Sequence, residues 1–88
     1  MGSIIWRDYL QYNFSGTTDG SGYLIMPSSE ITPSDAIVYV KETGSGYPGT
    51  SVIYNNAVYL RFYDRVATDV VAVNMKYVNG SVFFLRYR

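Results

Sequence analysis

Residues 70–88, VVAVNMKYVNGSVFFLRYR, decide the fold. They read as two strands joined at Asn79-Gly80, because Asn-Gly between alternating apolar residues is the strongest short-range signal of a β-hairpin with a type I′ turn. Both faces of this predicted hairpin carry large apolar side chains, whereas a hairpin with one side in water alternates cleanly between apolar and polar residues. We therefore expect one face to enter a core and the other to meet a partner.

The segment before it carries a second hairpin signal. Residues 51–63 alternate around Asn55-Asn56, and the register from this turn sets Tyr54 opposite Ala57. Alternate residues of the pair share a face, so one face is predicted to turn to the core. That predicted core face consists of Ile53, Val58, Leu60 and Phe62.

Three further strands are predicted nearer the N-terminus. Residues 4–14 alternate with period two and break at Asp8, so we expect a bulge or bend near Arg7-Asp8. A short strand at 23–26 is stopped by Pro27, which cannot donate to a ladder. Residues 36–40 are β-branched and apolar on both sides, which favours a central strand.

Together these segments predict the fold class. Short strands separated by turn signals, with no helix of normal length, indicate an all-β protein, a small antiparallel β-sandwich or barrel of about seven strands. Residues 4–88 are read as one domain of this kind. Residues 1–3, Met-Gly-Ser, have the form of an expression scar and carry no functional argument.

The composition favours self-association and excludes several kinds of site. A domain of 88 residues buries only about 60% of its unfolded surface, so disulfides, metals or oligomerisation commonly supplement its core. The chain has no Cys and no His, which excludes disulfides and zinc sites of the Cys/His kind. Seven basic and seven acidic side chains cancel, so no long-range field attracts nucleic acid. No apolar run reaches the length of a membrane span. We expect a homo-oligomer, with neither a nucleic-acid partner nor a membrane span.

The predicted contact between subunits lies on the C-terminal hairpin. Phe83, Leu85 and Tyr87 share one face and are exposed if the opposite face enters the core. An exposed apolar strand is an aggregation hazard in a monomer, so a neighbouring subunit or the other sheet has to cover it. We expect a subunit.

Catalytic chemistry is not indicated. General acid and base catalysis usually draws on His, a tuned Cys, paired carboxylates or a metal, and the first two are absent. The seven carboxylates show no pair on one face of a strand, and no glycine-rich loop precedes a helix that could hold a phosphate. We therefore predict a protein that is not an enzyme and uses no cofactor.

Tyrosines mark the candidate ligand site. The chain has ten, and a flat apolar ring with a polar tip suits sugar stacking and protein contacts, although aromatic residues also simply favour strands. Tyr47 stands on a Gly/Pro-rich loop, where it either contacts a ligand or folds back on the core edge. The outer face of the second hairpin forms a stripe that either binds a ligand or only covers the sheet. This stripe consists of Tyr54, Tyr59, Arg61 and Tyr63.

Across residues 22–88 the order of features resembles small β-sandwich domains of tailed-phage fibres, baseplates and related virion appendages. The resemblance lies in YLIMP at 23–27, TPSDAIVYVK at 32–41 and the hairpin VIYNNAVYLRF at 52–62. It implies a structural or receptor-binding part of a virion, a homotrimer or ring assembled in the host cytoplasm without disulfides. No functional residue carries over, because such domains share no fixed binding site.

Two functions are therefore expected from the sequence. The first is a structural or host-attachment domain of a phage tail or similar virion assembly, a homo-oligomer with a trimer favoured, that recognises a host-surface glycan or protein. The second is a carbohydrate-binding module that uses the tyrosine and arginine stripe. The virion is the expected location in the first case, and the extracellular space or a cell surface is the alternative.

Overall fold

The computed structural model describes residues 6–87, which form seven β-strands and no helix. The strands are β1 (Arg7–Thr17), β2 (Tyr23–Ile25), β3 (Ala36–Glu42), β4 (Gly49–Tyr54), β5 (Ala57–Val66), β6 (Asp69–Ala72) and β7 (Tyr77–Tyr87). Two antiparallel sheets pack together as a small β-sandwich, so the predicted fold class is confirmed. The N-terminal Met-Gly-Ser, the predicted start of the first strand at residues 4–5 and Arg88 lie outside the described residues.

Each sheet is built around one long strand. The first sheet has the order β1-β7-β3, and β1 pairs with β7 from Arg7 opposite Tyr87 to Thr17 opposite Tyr77. The second sheet has the order β2-β5-β4, and β6 pairs with the far end of β5. Because β5 and β7 are central, the two strands contribute most of the side chains between the sheets.

The core follows the period of two in these strands. Alternate residues of β5 and β7 point inward and are almost fully excluded from solvent. Phe14 on β1 meets Phe62 on β5 across the interface, with ring centroids 5.4 Å apart. Each such side chain contributes about 1.5–3 kcal/mol by leaving water. The inward residues of the two central strands are Val58, Leu60, Phe62, Val78, Val82 and Phe84.

The hairpin predicted for residues 70–88 is wrong. Residues 77–87 form one continuous strand, and neither Asn79 nor Gly80 adopts the positive φ that a type I′ turn requires. Gly80 serves a different purpose, because a Cβ there would lie 1.9 Å from the carbonyl oxygen of Lys41 on β3. A glycine inside a strand marks such a close approach of two backbones. The segment before it, β6, pairs with β5 and not with β7.

The hairpin predicted at Asn55-Asn56 is correct. Both residues have positive φ, 50° and 60°, and Tyr54 lies opposite Ala57. Three of the four residues of its predicted core face are buried, and Ile53 is the exception at 58% exposed. Because β4 is an edge strand, Ile53 lies at the rim of the core and not inside it.

Two smaller expectations also differ from the structure. β3 is an edge strand of the first sheet, where it pairs with β7, and its register shifts between Ile37 and Tyr39. Its apolar character on both sides reflects exposed as well as buried residues, since Val38 and Tyr39 face solvent. No bulge interrupts β1 near Arg7-Asp8, because Asp8 keeps register with Arg86.

Two buried carboxylates organise the ends of β3. Asp35, just before the strand, accepts two hydrogen bonds from the guanidinium of Arg86, at 2.9 and 3.0 Å, and a third from the backbone N–H of Thr32. These bonds, above all those from Arg86, lower the pKa of Asp35. The turn that leads into β3 is thereby tied to the end of β7.

Glu42, the last residue of β3, is 5% exposed, and all the hydrogen bonds that its carboxylate accepts within residues 6–87 come from backbone N–H groups. Burial raises the pKa of this carboxyl, but backbone donors outweigh burial and the net shift is downward. One carboxylate therefore holds both the loop that leads to β4 and the first part of β7. Its donors are Gly44, Ser45, Gly46, Tyr47 and Asn79.

Candidate functional site

A cleft of about 420 Å³ lies on the outer face of the second sheet. Tyr59 forms its centre, because its neighbours in β5, Val58 and Leu60, point into the core and alternation turns Tyr59 outward. Tyr23 comes from β2 and Tyr54 from the end of β4, the two strands that flank β5. We call this site the tyrosine cleft, lined by Asp19, Tyr23, Val52, Ile53, Tyr54 and Tyr59.

The three rings of the tyrosine cleft stand at different angles. The ring of Tyr23 meets that of Tyr59 edge to face, with centroids 6.2 Å apart and planes at 82°. Tyr54 lies 6.5 Å from Tyr59 at 58°. Edge-to-face and tilted pairs are the favoured arrangements of aromatic rings, so the three rings hold one another in place. The rings of Tyr23 and Tyr54 are therefore both inclined to the ring of Tyr59, and the three rings do not form a flat stack.

Asp19 places a negative charge in the cleft. Its Oδ1 accepts hydrogen bonds from the backbone N–H groups of Ser21, at 2.8 Å, and Tyr23, at 3.0 Å. These two bonds, the one from Tyr23 first, lower the pKa of Asp19, so the carboxylate is ionised at neutral pH. Within residues 6–87 no hydrogen bond to Oδ2 is formed. That oxygen is free to accept from a ligand.

The loop that carries Asp19 is held by hydrogen bonds to residues 73–76. Thr18 is buried, donates its hydroxyl to the carbonyl oxygen of Val73 at 2.6 Å and accepts from the N–H of Lys76 at 3.1 Å. The backbone N–H of Met75 in turn donates to the carbonyl oxygen of Asp19. The loop between β1 and β2 is therefore tied to the segment between β6 and β7, and the carboxylate is held in a fixed position.

Arg61 supports the tyrosine cleft from the side. Its guanidinium carbon lies 4.8 Å from the ring centroid of Tyr23 and 5.5 Å from that of Tyr63, and its Nε donates to the carbonyl oxygen of Ser21. Stacked cation–π contacts of this kind hold the rings as well as the cation. Arg61 and Tyr63 thus lie next to the cleft and orient Tyr23, whereas Tyr54 and Tyr59 line it.

The fifth residue predicted to bind a ligand lies elsewhere. Tyr47 is half-buried and packs against the hydrophobic core, as in the alternative in which it covers the core edge. It does not line the tyrosine cleft. The sequence analysis missed Tyr23 and Asp19, because their place beside Tyr59 depends on the pairing of β2 with β5, which no local pattern specifies.

The tyrosine cleft contains a single carboxylate. Among residues 6–87 no group of three or more acidic side chains is close enough to hold a metal ion. No helix in this part of the chain is long and apolar enough to cross a membrane. The lining residues offer aromatic faces, the hydroxyls of the three tyrosines and the acceptor oxygens of Asp19.

A second aromatic surface lies on the outer face of the first sheet. Phe83 stacks between Tyr9 and Tyr39, with centroid distances of 6.1 and 6.2 Å. We call these three residues the aromatic ladder. Leu85 beside it is half-buried, and Tyr87 is exposed with the guanidinium of Arg7 over its ring.

All three residues predicted to form an oligomer contact thus lie on this outer face. Two neighbouring tyrosines and an arginine from the same chain cover them in part. Their role in an oligomer stays a prediction.

No protein-family model, curated protein or solved structure matches this chain. The resemblance to virion appendage domains therefore stays a prediction as well.

Proposed function

We propose that this protein is a non-enzymatic binding domain that recognises a saccharide in the tyrosine cleft. One observation carries the proposal: three tyrosines inclined around a cleft of about 420 Å³, with the ionised carboxylate of Asp19 at its side. A sugar ring has an apolar C–H face that packs on an aromatic ring, and hydroxyls that donate to a carboxylate. Aromatic walls with a few fixed polar groups are the usual composition of small-molecule sites.

The charge of the cleft favours neutral saccharides. Asp19 is ionised and its backbone bonds leave Oδ2 for a ligand hydroxyl. The nearest cation, Arg61, is engaged by Ser21 and by the rings of Tyr23 and Tyr63. Arg61 offsets the charge of Asp19 only in part, since its attraction is the smallest of the effects that lower the pKa of Asp19, so an acidic sugar would still meet a like charge that reduces its affinity.

Tyr59→Ala is expected to weaken binding of a neutral glycan by about tenfold or more, because it removes the central ring and central aromatic anchors carry most of a site's binding energy. A glycan array with neutral and acidic members identifies the ligand, and titration calorimetry gives the affinities. Tyr77→Ala is the matched control, since Tyr77 is an exposed tyrosine outside the cleft. The proposal is wrong if the wild type binds no glycan, or if both variants bind as tightly as the wild type.

A second function is favoured by the aromatic ladder. Tyr9 and Tyr39 are 64% and 56% exposed on a sheet face that also carries Phe83, Leu85 and Tyr87. Aromatic residues concentrated on one face are typical of the centres of protein interfaces. This supports a structural or attachment domain of a virion appendage, in which the face packs against further copies of the chain, with a trimer as the favoured state.

Leu85→Lys is expected to lower the native mass to that of a smaller species, because it places a charge in the middle of that contact. Light scattering measures the mass, and circular dichroism shows whether the β-structure is kept. Val70→Lys, at an exposed position on β6, controls for the added charge. An unchanged mass in the Leu85 variant would remove this second function.

A further inference from the structure

β4 has an open hydrogen-bonding edge. On one side it pairs with β5 along its whole length, Gly49 opposite Phe62 through Tyr54 opposite Ala57. On its other side the described pairing is a single bridge, between Lys41 at the end of β3 and Pro48 just before β4. Beyond that bridge β3 and β4 separate around a cleft of about 560 Å³.

The direction of the β4 backbone groups follows from one hydrogen bond. The N–H of Tyr63 donates to the carbonyl oxygen of Pro48 at 3.0 Å, so the even-numbered residues from 48 onward face β5. In an antiparallel ladder alternate residues point to opposite sides. The N–H and C=O groups of Ser51 and Ile53 therefore point away from β5, into the open edge.

The other edge strands in residues 6–87 each have a feature that discourages pairing with another chain. β2 has three residues and is followed by Pro27, and β6 has four residues. β3 is interrupted by its register shift and carries Lys41. β1 is long, but most of its exposed side chains are polar, including Gln11, Asn13 and Ser15. Short strands, proline, irregular register and polar or charged side chains are the known protections of sheet edges.

β4 lacks these protections apart from Pro48, which lies just before it, and the polar side chains of Thr50 and Ser51. Its sequence, GTSVIY, contains no charged residue and no proline, and its register with β5 is unbroken. Val52, Ile53 and Tyr54 are exposed, so apolar side chains stand on both faces of the strand. A regular, uncharged and apolar edge is a template for another β-strand.

We propose that β4 pairs antiparallel with β4 of a second copy, across a two-fold axis that passes between the two Val52 residues. This register places Ser51 of each copy opposite Ile53 of the other, and all the outward N–H and C=O groups of both residues are then paired. If the two-fold axis lay nearer to Gly49, the second strand would collide with β3 at the bridge between Lys41 and Pro48. The cleft between β3 and β4 accommodates the tip of the partner's hairpin.

A second copy is the occupant that fits this edge. A contact across a two-fold axis requires a self-complementary surface. The edge of β4 provides such a surface when the axis lies at a residue whose N–H and C=O groups point toward β5, as those of Val52 do. The chain has no net charge and β4 has no charged side chain, so β4 brings no like charges of its own into the contact. The two tyrosine clefts would then lie on one continuous sheet face, because Val52 and Tyr54 share the outer face with Tyr59.

Ser51→Pro tests the pairing directly. Proline removes one outward N–H without touching the ladder to β5, and edge strands tolerate it. We expect the native mass, measured by light scattering over a dilution series, to halve relative to the wild type while the circular dichroism stays that of a β-protein. Ser51→Ala keeps the N–H and should keep the wild-type mass. A wild type that is monomeric at every concentration, or a proline variant with unchanged mass, would overturn the proposal.

A cysteine pair tests the register and does not depend on the proline variant folding. The chain has no cysteine, so Val52→Cys introduces one thiol in each copy. In the proposed register the two residues at position 52 lie opposite each other as a non-hydrogen-bonded pair, with a Cα separation of about 4.5 Å that suits a disulfide. We expect oxidation to convert most of this variant to a covalent dimer. Thr50→Cys is the control, because the two Thr50 residues would lie about 13 Å apart along the strands. Equal cross-linking of both variants, or of neither, contradicts the register.

Discussion

Gly80→Ala is expected to lower the free energy of unfolding by about 3 kcal/mol, at the upper end of what an added core methyl group costs. The new Cβ would lie 1.9 Å from the carbonyl oxygen of Lys41 and 2.9 Å from the Cα of Glu42. Both are backbone atoms of β3, so no side-chain rotation relieves the overlap. β3 has to move away from β7, which weakens the pairing that holds the first sheet together.

Gly20→Ala is the matched control for this change. No atom lies within 4 Å of a Cβ built on Gly20, and the residue does not need a positive φ. Its substitution should change the unfolding free energy by less than about 0.5 kcal/mol, as is usual for surface positions. Urea denaturation of both variants gives the comparison, and equal midpoints would show that β3 does not approach β7 as closely as described.

Glu42→Gln is expected to destabilise the fold by about 2–4 kcal/mol near neutral pH, since charge-assisted hydrogen bonds are strong and unsatisfied buried donors are costly. The amide group of Gln keeps one acceptor oxygen and replaces the other by a donor. That donor would oppose either the N–H groups of Gly44 and Asn79 at Oε2, or those of Ser45 and Gly46 at Oε1. Glu30→Gln, at an exposed position, should change stability by a few tenths of a kcal/mol.

The effect of Glu42→Gln depends on pH with a definite sign. The pKa of Glu42 is lower in the folded protein than its ordinary value of 4.5, so the folded state favours the ionised form. Its stabilisation is fully present above the unfolded pKa and is lost as the pH falls through the folded pKa. The difference between wild type and variant should therefore shrink in acid below about pH 4.5. A constant difference across that range would mean that the charge of Glu42 does not hold the loop.

Two turn signals of the same kind had different outcomes, which shows where sequence reasoning succeeded. Asn55-Asn56 forms the predicted turn because β4 and β5, the strands on either side of it, pair directly with each other. Asn79-Gly80 has the stronger signal, yet it lies inside β7. At Asn79-Gly80 the strand pairs with β1 on one side and β3 on the other, and these two sets of hydrogen bonds outweigh the local preference of Asn-Gly for a turn. The glycine is needed for a different reason, because the backbone of Lys41 approaches it closely.

The candidate site was predictable in part for the same reason. Tyr54 and Tyr59 belong to one local hairpin, so alternation alone places both on its outer face. Tyr23 reaches them only because β2 pairs with β5 in a register set by packing, with Tyr23 opposite Arg61. Asp19 lies beside Tyr23 in the cleft because its carboxylate accepts hydrogen bonds from the backbone N–H groups of Ser21 and Tyr23. Pairings between distant segments carry no short-range signature.

The central position of β7 has a consequence for how the chain acquires its structure. β1 and β3 do not pair with each other, and both pair with β7, which is synthesised after them. Arg7 in β1 contacts Tyr87, which lies eighty positions further along the chain. The β4–β5 hairpin closes over two residues and can form early, whereas the first sheet assembles only after β7 has emerged. Contacts between such distant residues slow folding, so β1 spends that interval without the strand that completes it.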